Sequence, residues 1–320
     1  MDKIAVLIPC FNEEKTIGKV IRDWKEALPV ASIYVYDNNS NDQTATIAKK
    51  ENAIVRYERK QGKGHVIRRM FREIDAECYI LIDGDDTYSP SKAEEMADLV
   101  LNQNVDMVVG DRLSSTYYTE NKRRFHNTGN NIVKSFINRI YKCDIKDVMT
   151  GCRALSYQFV KTFPVLSEGF EIETEMTIHA VDKNLEIENL VIEYQDRPEG
   201  SESKLNTFSD GCKVIRTIFN LFRYYKPFRF FSIISLILFV IALVLFIPIF
   251  IEYFETGLVP RIPTLIVSGF MVIAAIQTFF SGLVLDAFAQ KNRRDFENSL
   301  INLAISTPKS TNNIQDGDIE

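Results

Sequence analysis

The amino-acid sequence predicts an α/β domain with a mostly parallel sheet, followed by a hairpin of two transmembrane helices. In the first part of the chain, short apolar strands alternate with amphipathic helical segments, the pattern of a parallel sheet covered by helices on both faces. Two uncharged apolar runs then follow each other, over residues 230–251 and 262–285. As a helix, the first run would be about 33 Å long, enough to cross a hydrocarbon core about 30 Å thick.

The strands and helices of the first part are expected in strict alternation. The strands are expected at residues 4–9, 32–37, 55–57, 79–83 and 107–110, and the helices at residues 14–27, 42–50, 64–74 and 92–102. In sheets of this kind, ligands bind beyond the carboxyl ends of the strands. Polar side chains stand at these ends: Asn12 and Glu13 after the first strand, Asp37 and Asn39 after the second, and Asp83 and Asp85 after the fourth.

The changes in composition divide the chain into four parts. A globular domain is expected over residues 1–208, an amphipathic juxtamembrane helix over residues 209–227, the two transmembrane helices within residues 228–290, and a polar tail over residues 291–320. A juxtamembrane helix that packs on the globular domain instead of the lipid headgroups remains an alternative. The net charge of −5 argues against a nucleic-acid-binding protein.

Basic residues flank the two apolar runs on one side only. The loop over residues 252–261 carries two glutamates and one arginine, whereas both outer flanks are basic. The positive-inside rule therefore predicts an integral membrane protein whose globular domain and both termini lie in the cytoplasm. The basic flanking residues are Arg216, Arg223, Lys226 and Arg229 before the first run, and Lys291, Arg293 and Arg294 after the second.

The most informative motif is an apolar strand that ends in the carboxylates of Asp83, Asp85 and Asp86. Clustered carboxylates repel one another unless a cation lies between them. We expect Asp83 and Asp85 to bind Mg²⁺ or Mn²⁺ that also bridges a diphosphate, with Gly84 leaving space for the ligand. The alternative is an acidic turn, or a helix cap, before Ser89.

Two further motifs suggest a nucleotide. An acid after the second strand, here Asp37, can accept hydrogen bonds from the ribose or the base, although capping of the next helix is an alternative. Two glycines, Gly62 and Gly64, flank Lys63. They do not amount to the G-x-G-x-x-G fingerprint of a dinucleotide-binding site.

In their order and spacing, these motifs resemble the family 2 glycosyltransferases with the GT-A fold. Further segments narrow the resemblance to the polyprenyl-phosphate glycosyltransferases, the group of dolichyl-phosphate mannose synthase and its GtrB-like relatives. The segments that carry the resemblance are residues 8–13, 37–40, 62–64, 83–85, 109–112, 147–151, 168–173 and 197–205, together with the two C-terminal apolar runs.

The resemblance implies an inverting enzyme with a nucleotide-sugar donor, a polyprenyl phosphate acceptor and a divalent metal ion. It assigns Pro9, Phe11, Glu13, Asp37, Asn39, Lys63, Asp83 and Gly84 to the nucleotide sugar, and Asp83 and Asp85 to the metal. It assigns Asp85, Arg112, Arg124, Arg197, Ser203 and Lys204 to the acceptor phosphate and the charge of the transition state, with Arg123 as an equal candidate to Arg124. Thr87 stands where relatives carry a glutamine that completes the metal site.

The chemistry implied by the resemblance needs no general base, because an acceptor phosphate is already ionised at neutral pH. It needs cations that bring two anions together, and arginine suits bidentate contact with phosphate. Glu171 or Glu173 could orient sugar hydroxyls, and a role at the start of a helix is equally open. By analogy, the expected donor is UDP-glucose or UDP-N-acetylglucosamine, and the expected acceptor is undecaprenyl phosphate of the cell envelope. The expected partners are membrane lipids and further copies of the same chain, in a homo-oligomer such as a tetramer.

Three other functions fit the sequence less well. A processive polysaccharide synthase should carry a Q-x-x-R-W motif, but the sole tryptophan is Trp24, early in the chain. A nucleotidyltransferase would leave the two apolar runs unexplained. A membrane adaptor would leave the carboxylates at successive strand ends unexplained. The remaining alternative is another membrane-bound family 2 glycosyltransferase, acting on a polysaccharide or a glycolipid.

Overall fold

The computed structural model describes residues 1–114, 134–135, 137–196, 219–220 and 222–306. Four residues that the resemblance assigns to the acceptor phosphate lie outside the described residues: Arg124, Arg197, Ser203 and Lys204. Most of the expected juxtamembrane helix lies outside them as well.

Seven strands form one sheet in the order β3-β2-β1-β4-β6-β5-β7. Strand β6 is antiparallel to both of its neighbours, and the other neighbouring pairs are parallel, which confirms the predicted mostly parallel sheet. The strands are β1 (Asp2–Cys10), β2 (Ser32–Asp37), β3 (Ile54–Tyr57), β4 (Ala76–Leu81), β5 (Met107–Asp111), β6 (Arg153–Ser156) and β7 (Ile187–Val191).

Helices follow most strands, and two long helices end the described chain. They are α1 (Ile17–Ala27), α2 (Thr44–Lys50), α3 (Lys63–Glu73), α4 (Ala93–Leu101), α5 (Tyr157–Thr162), α6 (Ile172–Asp182), α7 (Pro227–Thr256) and α8 (Ile262–Ser306), with a short 3₁₀ helix over Pro90–Lys92. Helix α1 begins later than predicted, because the backbone oxygen of Glu13 first accepts hydrogen bonds from the N–H groups of Thr16 and Ile17.

The sheet separates two apolar cores, since side chains along a strand point to alternate faces. On one face, Val6 and Ile8 of β1 pack with residues of α1 and α4, including the buried Trp24. On the other face, Ala5 and Leu7 of β1 pack with residues of α3, α5 and α6. Helices therefore cover both faces of the sheet.

Helices α7 and α8 form a hairpin, and each is long and apolar enough to cross a membrane. The hydroxyl of Ser235 donates to the backbone oxygen of Ala275 at 2.7 Å, and a Cβ at Gly282 would come within 2.8 Å of the Cβ of Phe231. Close approach at a small residue and interhelical hydrogen bonds are typical of packed transmembrane helices. Most of their large apolar side chains are exposed, which indicates membrane anchoring rather than a buried core.

The polar tail predicted from residue 291 is corrected over its first part. Helix α8 continues without a break to Ser306. Phe296 is 7% exposed and belongs to the core that contains α5 and α6, while Arg293 donates to Asp182 at 2.6 Å. The polar composition of this segment concealed one apolar helical face that packs against the globular domain.

Candidate active site

The candidate site lies at the carboxyl edge of the sheet, where β1, β2, β4 and β5 end. Glu13 follows β1, Asp37 ends β2, Asp83 follows β4, and Arg112 follows β5. Because β6 is antiparallel, its first residue lies at this same edge, between β4 and β5. The topology therefore brings together side chains that are far apart in the sequence.

One carboxylate oxygen of Asp37 is buried without a hydrogen-bond partner in the described part of the chain. Its side chain is 4% exposed, and Oδ2 accepts a hydrogen bond from the backbone N–H of Ser40 at 3.2 Å. Within the described residues, Oδ1 accepts no hydrogen bond. A buried oxygen without a partner costs free energy. Its geometry therefore fits an N–H or O–H group of a ligand.

Hydrogen bonds join the turn after β1 to the turn after β2, next to Asp37. The N–H of Asn12 donates to Ser40, and the N–H of the buried Glu13 donates to Thr44 at 2.8 Å. Asn39, with a φ of 63°, donates through Nδ2 to the backbone oxygen of Arg59. The predicted nucleotide-binding residues Phe11, Glu13 and Asn39 thus lie on turns beside Asp37, with the amide of Asn39 supporting a loop. Pro9 lies in β1 itself, opposite Tyr36 of β2.

The three carboxylates of the acidic turn have different surroundings. Asp86 pairs with Lys19 at 2.7 Å, so it faces helix α1. Asp85 is buried, and its Oδ1 accepts a hydrogen bond from the hydroxyl of Thr87 at 2.6 Å. Thr87 therefore orients Asp85. Asp83 pairs with Lys63 at 2.6 Å.

Lys63 joins Asp83 to Glu173 of helix α6. The side chain of Lys63 is 7% exposed, and its Nζ lies 2.5 Å from a carboxylate oxygen of Glu173. Burial disfavours its charged form, but the two carboxylates outweigh that effect and raise the pKa of Lys63 above its ordinary value. Lys63 was expected at the nucleotide sugar, and the structure brings its ammonium group to the carboxylate that was predicted to bind the metal.

Two glycines allow the backbone to approach this turn closely. A Cβ on Gly84 would lie 2.8 Å from the Sγ of Cys10, and a Cβ on Gly151 would lie 2.3 Å from Oδ2 of Asp83. The segment before β6 therefore passes directly against the Asp83 carboxylate. Any larger residue at position 151 would displace one of the two predicted metal ligands.

The residues present fit a divalent metal ion that is shared with a ligand. Carboxylate oxygens are the ligands that Mg²⁺ and Mn²⁺ prefer, and Mg²⁺ is often bound by one or two carboxylates together with substrate phosphates. Among the described residues, no group of three carboxylate, histidine or cysteine side chains could hold a metal ion. Asp83 and Asp85 would thus need phosphate oxygens to complete the coordination.

Arg112 supplies positive charge on the far side of the acidic turn. Its Nε donates to the fully buried Asp147 at 2.7 Å, and its Nη2 donates to the backbone oxygen of Met149 at 3.0 Å. The guanidinium also stacks over the ring of Tyr194, 5.8 Å from its centroid. These contacts hold the arginine in one place.

Sequence reasoning assigned no role to Asp147 and left Glu173 open. Both lie in segments that carried the family resemblance, and that was the only available signal, because their partners Arg112 and Lys63 are distant in the sequence. Glu171 has a local role: its carboxylate accepts hydrogen bonds from the N–H groups of Glu168 and Gly169 before helix α6.

A family model described as glycosyl transferase family 2 matches residues 5–163, a span that contains Asp37, the acidic turn and Arg112. The chain belongs to glycosyl transferase family 2. It is therefore a glycosyltransferase, and the predicted resemblance to this family is confirmed.

Two curated proteins are similar to this chain in sequence. Protein RfbJ of Shigella flexneri is 53% identical over 109 residues, which are 34% of this chain and 84% of the relative. A dolichyl-phosphate hexose transferase of Haloferax volcanii is 27% identical over 217 residues, which are 68% of this chain and 92% of the relative. The family 2 chain is thus related to hexose transferases of dolichyl phosphate.

Solved structures confirm the GT-A-like fold of this family 2 chain. Glucosyl-3-phosphoglycerate synthase from Mycobacterium tuberculosis, in complex with Mn²⁺, UDP-glucose and phosphoglyceric acid, aligns with a TM-score of 0.55 at 19% identity. The alignment covers 69% of this chain and 79% of the synthase. At this identity, the likeness concerns the fold.

Proposed function

We propose that the protein is an inverting glycosyltransferase that transfers a hexose or an N-acetylhexosamine from a nucleotide diphosphate sugar to polyprenyl phosphate. The observation that carries the proposal is the position of the site: one chain combines a family 2 donor site with an apolar hairpin whose second helix packs on the same domain. A soluble acceptor would need no such anchor, whereas a lipid phosphate is confined to the membrane surface.

The donor side of the proposal rests on Asp37 and the acidic turn. The buried Oδ1 of Asp37 is suited to an N–H group of a uracil base, and we propose UDP-glucose or UDP-N-acetylglucosamine as the donor. The related fold of glucosyl-3-phosphoglycerate synthase binds UDP-glucose with Mn²⁺, which supports a uridine nucleotide. Asp83 and Asp85 would hold Mg²⁺ or Mn²⁺, which would neutralise charge on the diphosphate.

In the proposed reaction, cationic side chains have to position the reacting groups. An acceptor phosphate oxygen attacks the anomeric carbon as the bond to the donor diphosphate breaks on the opposite face, which inverts the configuration. The attacking oxygen is already ionised, so the side chains have to position it rather than deprotonate it. Arg112 is held for this task by Asp147, and Lys63 keeps Asp83 in place by pairing with it.

The acceptor side of the proposal rests on the segment that begins at Arg197. Just before it, Gln195 donates from its backbone to the oxygen of Thr87 at 3.1 Å and from its side chain to the oxygen of Asp86 at 2.9 Å. The chain is therefore tied to the acidic turn two residues before Arg197. We propose that Arg197, Ser203 and Lys204, together with Arg124, bind the lipid phosphate.

The proposed setting is the cytoplasmic face of a membrane. The basic residues that flank the hairpin support this orientation, with the active site and both termini in the cytoplasm. Membrane lipids would surround α7 and α8, and a homo-oligomer such as a tetramer remains part of the proposal.

The direct test is transfer to lipid. The full chain, purified in lipid nanodiscs with undecaprenyl phosphate and Mn²⁺, would be incubated with a panel of radiolabelled nucleotide sugars, and the lipid fraction analysed. We expect one sugar to enter the lipid fraction as a glycosyl undecaprenyl phosphate, a phosphodiester that joins the sugar to the lipid. Label that enters a polysaccharide or a glycolipid, with none on undecaprenyl phosphate, would favour the alternative acceptor and overturn this one.

A further inference from the structure

Arg153 is a fully buried cation at the start of β6. Its Nη2 donates to the backbone oxygen of Val148 at 2.7 Å, and its Nε donates to the backbone oxygen of Thr150 at 3.2 Å. Its Nη1 lies 3.2 Å from the sulfur of Met107. Burial lowers the pKa of Arg153 to about 10, with the carboxylates of Glu173 and Asp147 acting in the opposite direction.

The partners of this cation are unusual. Among the described residues, its side-chain hydrogen-bond acceptors are backbone carbonyls and a thioether rather than a carboxylate. A buried charge is costly, and apolar residues of similar volume often stabilise a protein as well or better. Stability alone therefore does not explain a buried arginine at this position, and the backbone segment that Arg153 holds in place is the more informative feature. Both carbonyls belong to one short segment, residues 147–151.

The order and direction of the strands place this segment at the candidate active site. Arg153 lies opposite Leu81 of β4 and Val109 of β5 in the sheet. Strands β4 and β5 run in the direction opposite to β6. They end at Leu81 and Asp111, and Asp83 and Arg112 follow shortly after these ends. Residues 147–151 therefore enter the carboxyl edge between the predicted metal ligand and the predicted phosphate-binding arginine.

Both ends of the segment contact those two groups. At one end, Asp147 and the backbone oxygen of Met149 accept hydrogen bonds from Arg112. At the other end, Gly151 lies so close to the carboxylate of Asp83 that a Cβ would overlap it, and its N–H donates to the hydroxyl of Tyr88 at 2.8 Å. A shift of this segment would move both groups at once.

We infer that Arg153 is a positioning residue, which holds residues 147–151 so that the Asp83 carboxylate and the Arg112 guanidinium keep their relative places. It touches neither group and acts through the segment between them. The inference rests on the proposed function, because it assumes that Asp83 binds the metal and that Arg112 binds phosphate. It makes the antiparallel β6 the element that couples the donor side of the site to the acceptor side.

The test compares three variants of the full chain in nanodiscs. Arg153→Met keeps an unbranched apolar side chain and removes the charge and the donors, whereas Arg153→Lys retains the charge with one nitrogen that can satisfy one carbonyl well. Lys161→Met is the matched control, since Lys161 is also a cation that donates to two backbone oxygens, those of Phe71 and Ile74, before β4 and so at the opposite edge of the sheet.

The readouts are the thermal unfolding midpoint, the binding of Mn²⁺ in the presence of UDP measured by electron paramagnetic resonance, and kcat and KM for transfer. Below its unfolding temperature, Arg153→Met should bind Mn²⁺ with UDP about tenfold or more weakly and lose about tenfold or more in kcat, with Arg153→Lys in between. Lys161→Met should lose thermal stability alone.

Wild-type Mn²⁺ binding and kcat in folded Arg153→Met would overturn the inference and make Arg153 a structural residue. If Arg153→Met does not fold, wild-type values of both quantities in Arg153→Lys would overturn it in the same way. A wild-type protein that does not bind Mn²⁺ with UDP would instead refute the proposed function, so the two failures can be told apart.

Discussion

At the scale of single residues, neighbouring carboxylates in one turn have different tasks because their surroundings differ. Asp85 is buried and oriented by Thr87, whereas Asp86 pairs with the half-exposed Lys19 on helix α1. Asp86 also has a φ of 59°, a conformation that asparagine tolerates well. The turn therefore offers a matched pair of isosteric substitutions.

We expect Asp85→Asn to lower transfer by more than about a hundredfold, since a bound divalent ion supplies several kcal/mol of charge stabilisation. Asp86→Asn should change transfer only severalfold. Asp86 is itself buried, but its partner Lys19 is half exposed, and solvent screening limits such a pair to about 1 kcal/mol. Initial rates at saturating donor would measure both effects, and excess EDTA should stop the wild-type enzyme. Equal losses in the two variants, or full turnover in EDTA, would contradict the metal assignment.

Asp37 provides a second prediction at this scale. If its buried Oδ1 accepts a hydrogen bond from the base, Asp37→Ala should weaken UDP binding about tenfold to 150-fold, the equivalent of a charge-assisted bond of about 1.5–3 kcal/mol. Binding of inorganic pyrophosphate with Mn²⁺ should stay unchanged, because pyrophosphate lacks the base. Calorimetry with both ligands checks this, and a parallel loss for pyrophosphate would place Asp37 at the diphosphate instead.

At the scale of elements, helix α6 connects the site to the membrane hairpin. Glu173, near its beginning, pairs with Lys63 in the site. Asp182, at its end, receives Arg293 of α8, and His179 packs against Phe296 with ring centroids 5.4 Å apart. The last part of α8 is therefore a structural part of the globular domain, although its sequence is that of a polar tail.

This packing predicts a difference in stability between two apolar residues of one helix. Phe296→Ala should lower the unfolding free energy by about 3–5 kcal/mol, since it removes a buried aromatic side chain from the core. Ile301→Ala, at a position that is 59% exposed, should change it by less than about 0.5 kcal/mol. Thermal unfolding in detergent, followed by circular dichroism, distinguishes them. Equal stability of the two variants would mean that α8 does not dock on the domain in solution.

At the scale of the whole molecule, the hairpin and the ion pair between Arg293 and Asp182 constrain the topology. In the proposed two-span arrangement the chain returns to its starting side, and the contact of α8 with the globular domain places the end of α8 on the domain's side of the membrane. The basic flanks favour the cytoplasm for that side.

Single cysteines in a background without the native ones would test this topology. In intact cells, an impermeant maleimide should label Leu258→Cys, in the loop between the helices, and should label Ile305→Cys only after the cells are lysed. Both positions are well exposed, so accessibility within the protein does not limit labelling. External labelling of Ile305→Cys would reject the two-span arrangement.

Much of the fold could be predicted because it depends on local patterns. The alternation of strands and helices, the two apolar runs, and the position of Asp37, Asp83 and Asp85 at strand ends all follow from periodicity and composition, which every residue carries irrespective of its distant neighbours. The family resemblance added the order of the motifs. The α/β class, the hairpin and the edge of the sheet that carries the candidate site could therefore be predicted from the amino-acid sequence.

Which side chains meet at that edge, in contrast, depends on how the whole chain packs. The antiparallel insertion of β6 has no local signature, yet it places Gly151 on Asp83 and Asp147 on Arg112. The pairing of Lys63 with Glu173 and the docking of Phe296 likewise depend on strand order and helix packing. A periodic pattern states which face of an element is buried, but the partner of that face is set by the free energy of the whole packed chain, which no single segment contains.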